Sequence, residues 1–92
     1  MEYEIKPNLQ AILEKLRKRD KAAYDQIVKK IEEIINSDPD HYKNLQYNMK
    51  YFKRVHIKSS FVLIFMYNKE KQLILFFDYD HHDNIYKKRY KN

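Results

Sequence analysis

The chain lacks cysteine and glycine altogether. Without cysteine there can be no disulfides, no zinc sites with thiolate ligands, no iron–sulfur clusters and no thiol catalysis. Small secreted domains often need disulfides, so their absence favours the cytoplasm. Without glycine neither a P-loop nor a dinucleotide-binding loop can form, because both need backbone free of Cβ against a phosphate. Turns fall instead to Asn, Ser, Asp and Lys. Long hydrophobic runs are missing too. The longest spans residues 61–67, far short of the ~20 residues a membrane helix needs. The charged N-terminus MEYEIKPN is no signal peptide.

The 92 residues suit one small domain, 1–92, and a hydrophobic fraction of 43% supplies a packed core. Nineteen basic residues give a net charge of +6 and a pI near 9.4. That excess fits a polyanionic partner such as nucleic acid or the ribosome, and it equally fits plain solubility.

Residues 1–6 alternate, with Tyr3 and Ile5 on one side, and read as an edge strand that Pro7 ends. Residues 8–36 read as a helical hairpin. Leu9, Ile12, Leu13 and Leu16 make the first stripe, with Asn8 as its N-cap. Tyr24, Ile27, Val28, Ile31, Ile34 and Ile35 make the second, with Asp20 as the cap between them. Acidic residues among the lysines argue against a membrane-surface helix pair. The run 36–40 is a stop and loop, and residues 41–50 are a polar connector.

Residues 51–80 then read as a three-stranded meander. On the first strand, Tyr51, Val55 and Ile57 face one way and Phe52, Arg54, His56 and Lys58 the other. Residues 58–60 turn the chain, and 61–67 is apolar on both faces, as a central strand would be. Residues 68–71 form a hairpin loop. On the last strand Leu73, Leu75 and Phe77 make the more apolar face. The helix pair should cover the Val55/Ile57 and Leu73/Leu75/Phe77 side. His56 and His82 would then share the far face with Asp78 and Asp80, unless a bulge intervenes. Alternation divides residues 78–83 between two faces, so no metal site is expected there. Residues 81–92 hold His82 and a basic tail that should fray. Most aromatics should be core, with Tyr47, Tyr51 and Tyr86 exposed. The expected fold class is α+β, a helical hairpin on a small, mainly antiparallel sheet of about four strands.

The order strand, helical hairpin, connector, meander, then His82-Asp83-Asn84-Ile85-Tyr86 resembles the RelE/ParE superfamily of toxins from type II toxin–antitoxin systems. The YafQ-like branch is most similar. Its aromatic-Arg-x-x-His-aliphatic segment is matched by Phe52-Lys53-Arg54-Val55-His56-Ile57, and its next strand by Phe61-Val62-Leu63-Ile64-Phe65. Its terminal His-x-Asp-aliphatic-aromatic pattern is matched at residues 82–86 with Ile85 and Tyr86 in the last two places. Leu45 matches the leucine of the usual Pro-Leu-x-Gly stretch. The chain departs from the branch at Ser60, where an acid is usual, and at Lys43, where a histidine is usual and His41 stands two positions earlier. Tyr47 replaces the usual glycine, and Val62 stands where the RelE branch proper has an arginine.

The resemblance implies a metal-independent endoribonuclease that cuts mRNA in the ribosomal A site, with no cofactor and with a cognate antitoxin as partner. The toxin alone is expected to be a monomer. A ribose 2′-hydroxyl attacks the adjacent phosphate and the 5′-oxygen leaves. Histidine, with a pKa of ~6.5, suits either proton transfer. His56 and His82 are the proton-transfer candidates, and Tyr86 is placed to stack on a base or bond a phosphate. Lys43, Lys53, Arg54 and Lys58 are candidates for phosphate binding. The alternative on the same fold is a non-catalytic ParE-like toxin that inhibits a protein target such as DNA gyrase, or an inactivated relative that binds RNA or the ribosome.

Overall fold

The computed structural model describes residues 1–45, 51–58, 60–85 and 87–88. Strand β1 (Glu2–Ile5) leads into helices α1 (Pro7–Arg19) and α2 (Lys21–Ile35). A 3-10 turn at Pro39–His41 follows, then β2 (Lys53–Ile57), β3 (Phe61–Asn68), β4 (Leu73–His81) and the short helix α3 (His82–Ile85). The strands form one sheet in the order β1-β4-β3-β2. β1 runs parallel to β4, and the other pairs are antiparallel. The class is the expected α+β.

The hairpin forms for the expected reasons, with one correction. Asp20 accepts a hydrogen bond from the Ala23 amide at 3.2 Å and so starts α2. Asn8 does not cap α1. Pro7 takes the first helical position, where its missing N–H costs nothing. The Asn8 side chain instead donates to Asp78 Oδ1 at 3.0 Å.

The hairpin lies on one sheet face. Leu9, Ile27, Ile31 and Ile34 pack there against Ile57, Leu63, Phe65, Ile74 and Phe76. Val55 and Tyr67 join from the margin. Phe65 and Phe76 face each other across the ladder with ring centroids 5.8 Å apart. Burying side chains of this size contributes about 1.5–3 kcal/mol each. The opposite face has its own core of Leu45, Phe52, Val62, Ile64, Phe77 and Ile85. Leu45, at the end of the described part of the connector, and Ile85 of α3 therefore pack on the side that the hairpin leaves open.

The expected facing of β4 is wrong at its start. Ile74 and Phe76 meet the helices, while Leu75 and Phe77 lie in the second core. Both faces of residues 73–77 are apolar, so composition could not choose between them. The ladder then slips. Ile64 pairs with Asp78 and Phe65 with Phe76, which leaves Phe77 as the extra residue of a bulge. The slip keeps Asp78 and Asp80, paired with Ile64 and Val62, on the far face.

Two smaller differences follow from turn chemistry. The β3–β4 loop begins after Asn68, whose Oδ1 accepts from the Lys71 amide at 3.1 Å. With no glycine available, Lys58 at φ 60° and Gln72 at φ 53° take the left-handed positions.

Candidate functional site

Both candidate histidines lie at one end of the sheet. His56 pairs with Val62, and Val62 with Asp80. One row further on, Ile57, Phe61 and His81 align. The chain then leaves β4, and the His82 amide donates to Ser60 O in the β2–β3 turn at 2.8 Å. Two strand spacings, about 10 Å, separate the backbones of β2 and β4.

The two histidines belong to different clusters. His56 is exposed and lines an open cleft of ≈ 260 Å³ with Gln26, Lys29, Lys30, Glu33, Ile57 and Lys58. His82 begins α3, so strand alternation stops before it and does not set its direction. Its ring stacks on that of His81 with centroids 5.0 Å apart. Its Nδ1 lies 3.1 Å from Asp83 Oδ1. Among the described residues, no hydrogen bond, ion pair or ring contact joins His56 to His82.

The cations divide by their existing partners. Lys53 Nζ donates to Tyr42 O at 3.1 Å and to Asn44 Oδ1 at 3.0 Å, so it staples the connector to β2. Arg54 is on the far face with Ile64 and Asp78, and its Nε is buried without a hydrogen-bond partner. A buried guanidinium N–H that meets no acceptor is costly unless a ligand supplies one. Lys58 is exposed in the turn beside His56. Lys43 is exposed, and its carbonyl accepts from the Arg54 amide at 3.0 Å. Tyr51 is exposed as expected, whereas Tyr47 and Tyr86 lie outside the described residues.

The sequence reading missed a buried ionic network beside this end. Asp78 is 0% exposed. Lys88 Nζ lies 2.6 Å from Asp78 Oδ2 and 2.6 Å from Asp80 Oδ2. Asp80 also accepts from the His81 amide at 2.7 Å and from Asn84 Nδ2 at 3.2 Å. Burial alone would raise the Asp80 carboxyl, but Lys88, the His81 amide and Asn84 together hold it below its ordinary value. Burial would likewise lower the Lys88 ammonium, and the two carboxylates outweigh it and raise its pKa. Lys88, in the tail expected to fray, is therefore held, while residues 89–92 lie outside the described residues. Together with buried Ile85, this contact holds α3 and Lys88 against the far face. Alternation had placed Asp78 and Asp80 on one face, but no local pattern pairs them with a lysine ten residues on.

The chemistry of the arrangement follows from its donors. An imidazole held through Nδ1 by a carboxylate has its other nitrogen free for proton transfer. An exposed imidazole and an underused guanidinium at the same sheet end add a second proton-transfer group and an anion-binding group.

No protein-family model matches the chain. A Methanocaldococcus jannaschii protein named "Putative toxin RelE4" is 53% identical over 88 residues, covering 96% of this chain and 93% of that one. An uncharacterized protein of Methanosarcina mazei is 43% identical over 82 residues, covering 89% of this chain and 94% of its own. The solution structure of the conserved hypothetical protein HP0894 from Helicobacter pylori superposes with a TM-score of 0.64 over 90% of this chain and 96% of that one. At 17% identity that likeness shows the fold alone. The fold, the terminal histidine motif and the near full-length identity to the RelE4 protein place the chain in the RelE family of toxins.

Proposed function

We propose that this toxin is a metal-independent endoribonuclease that cuts mRNA on translating ribosomes in the cytoplasm, and that a cognate antitoxin restrains it. The observation that carries the reading is the exposed His82 with its Nδ1 3.1 Å from Asp83, at the sheet end that also presents His56. His82, oriented by Asp83, takes the proton of a ribose 2′-hydroxyl. The oxygen attacks the adjacent phosphorus, a 2′,3′-cyclic phosphate forms, and the P–O5′ bond breaks. His56 returns a proton to the departing 5′-oxygen. Arg54 and Lys58 meet the charge on the phosphate, Lys43 contacts the flanking backbone, and Tyr86 packs on a base. Lys53, already bonded twice, keeps the connector in place beside them.

The test is the chemistry and position of the ends. Purified toxin is added to ribosomes stalled on a defined mRNA, with free RNA as control. Cuts in the A-site codon, leaving 5′-hydroxyl and cyclic-phosphate ends, are the expected result. Folded, antitoxin-free protein that cuts nothing would refute the reading, and inhibition of gyrase supercoiling by that protein would replace it with the ParE-like one.

A further inference from the structure

Beyond the hydrogen-bonding role of Asp83, the turn from β4 into α3 gathers a donor set that strand alternation would have scattered. Among the described residues, only His81, His82 and Asp83 bring three side-chain donors of this kind within 4.8 Å of one another. We propose that these three residues bind a divalent transition-metal ion of the zinc, nickel or copper class, and that the bound ion silences His82.

The Asp83 amide donates to His81 Nδ1 at 3.2 Å, so that nitrogen carries a lone pair and no hydrogen. The Asp83 carboxylate lies beside the same nitrogen, with Oδ2 3.5 Å away. On the other side of the carboxylate, Oδ1 meets His82 Nδ1 at 3.1 Å. A cation placed among these atoms takes the His81 Nδ1 lone pair from the Asp83 amide, replaces the proton between His82 Nδ1 and Asp83, which moves to His82 Nε2, and so gains one donor from each side chain.

The spacing fits. Ligands about 2.0–2.1 Å from a tetrahedral ion are about 3.3 Å apart. The 3.1 and 3.5 Å separations run from the two imidazoles to the two oxygens of Asp83, and with one ligand atom from each residue the three donors lie within 4.8 Å, which side-chain rotation can bring to that spacing. Imidazole and carboxylate together suit zinc, nickel and copper rather than magnesium or calcium. The ring stack of His81 on His82 holds both imidazoles in place. Exposure of His82 and Asp83 leaves the remaining coordination positions to water.

The consequence for activity rests on the nuclease reading. An ion on His82 Nδ1 removes the Asp83 partner and withdraws electron density from the ring. Nε2 then holds its proton and no longer serves as a base. The ion is an inhibitor here, not a cofactor.

Antitoxin-free protein is titrated with zinc chloride alone by calorimetry, and the four histidine rings are followed by NMR. The expected result is one ion per chain, with shifts confined to His81 and His82. Binding should weaken at least ~10-fold in each of the folded variants His81→Ala and Asp83→Asn, and should be unchanged in His41→Ala. No binding, or binding that survives both variants, overturns the site. In the cleavage assay zinc should stop the wild type over the concentration range in which calorimetry shows the site filling, and a chelator should restore the rate. Bound zinc that leaves cleavage unchanged overturns the silencing. A protein that binds zinc at this cluster but cuts no RNA would remove the nuclease reading and leave the metal site standing.

Discussion

Replacing Lys88 with methionine keeps the apolar stem and removes the charge that faces Asp78 and Asp80. Removing one partner of a buried ion pair costs about 3–5 kcal/mol, because the other charge stays buried. Lys88 keeps 35% of its side chain in water, and Asn8 and the Tyr79 amide still bond Asp78. The expected loss is therefore nearer 2–3 kcal/mol, below the usual range. For a domain of this size that lowers Tm by roughly 10–20 °C. Thermal and urea unfolding, followed by circular dichroism, measure it. A second variant separates charge from packing. Asp78→Asn in the Lys88→Met background removes the stranded carboxylate and should recover about 1 kcal/mol or more. A Tm drop under about 4 °C for Lys88→Met, or no recovery in the double variant, would refute the claim that this lysine neutralises a buried carboxylate.

Other predictions concern the same framework. Phe76→Ala empties the centre of the helix-facing core and should cost about 3–5 kcal/mol by urea titration, whereas exposed Lys15→Ala should change stability by less than about 0.5 kcal/mol. The Lys88 pKa is raised in the folded protein, so its contribution is complete below the ordinary lysine value of 10.5 and fades as pH rises through the higher folded value. The stability difference between wild type and Lys88→Met should accordingly stay flat from neutral pH up to that value, shrink above it, and shrink again in acid as Asp80, whose carboxyl Lys88 helps hold below its ordinary value, takes up a proton. Ala substitution of Asn8 should destabilise by about 1–3 kcal/mol through Asp78. The same substitution should not shorten α1 in the NMR chemical shifts, since Asn8 is not its cap. Binding of the protein to ribosomes or RNA should weaken steeply with added salt.

Much of the fold was legible because periodicity reports burial. The stripes at Leu9–Leu16 spacing and from Tyr24 to Ile35 marked two helices, and the doubly apolar 61–67 run marked the central strand. Asp20 was readable as a cap because its partner is three residues away. The face of β4 was not readable, since Leu73, Leu75 and Phe77 are as apolar as Ile74 and Phe76, and only the register slip at Phe77 sorts them. The Lys88 strap and the Asn8–Asp78 contact join residues 10 and 70 apart, beyond any local signal. For the candidate site, motif spacing singled out His56 and His82, and the structure puts both at one sheet end, but the direction of His82 depends on where β4 ends and α3 begins. That boundary also brings His81 and Asp83 into play.

The central claim is that His82, held by Asp83, moves the proton in RNA cleavage. Single-turnover cleavage of one mRNA on stalled ribosomes, comparing wild type with His82→Ala at equal folded concentration, tests it most directly. The account predicts a loss of about 10²–10⁴-fold in rate with ribosome binding retained. An unchanged rate in the folded variant would contradict it.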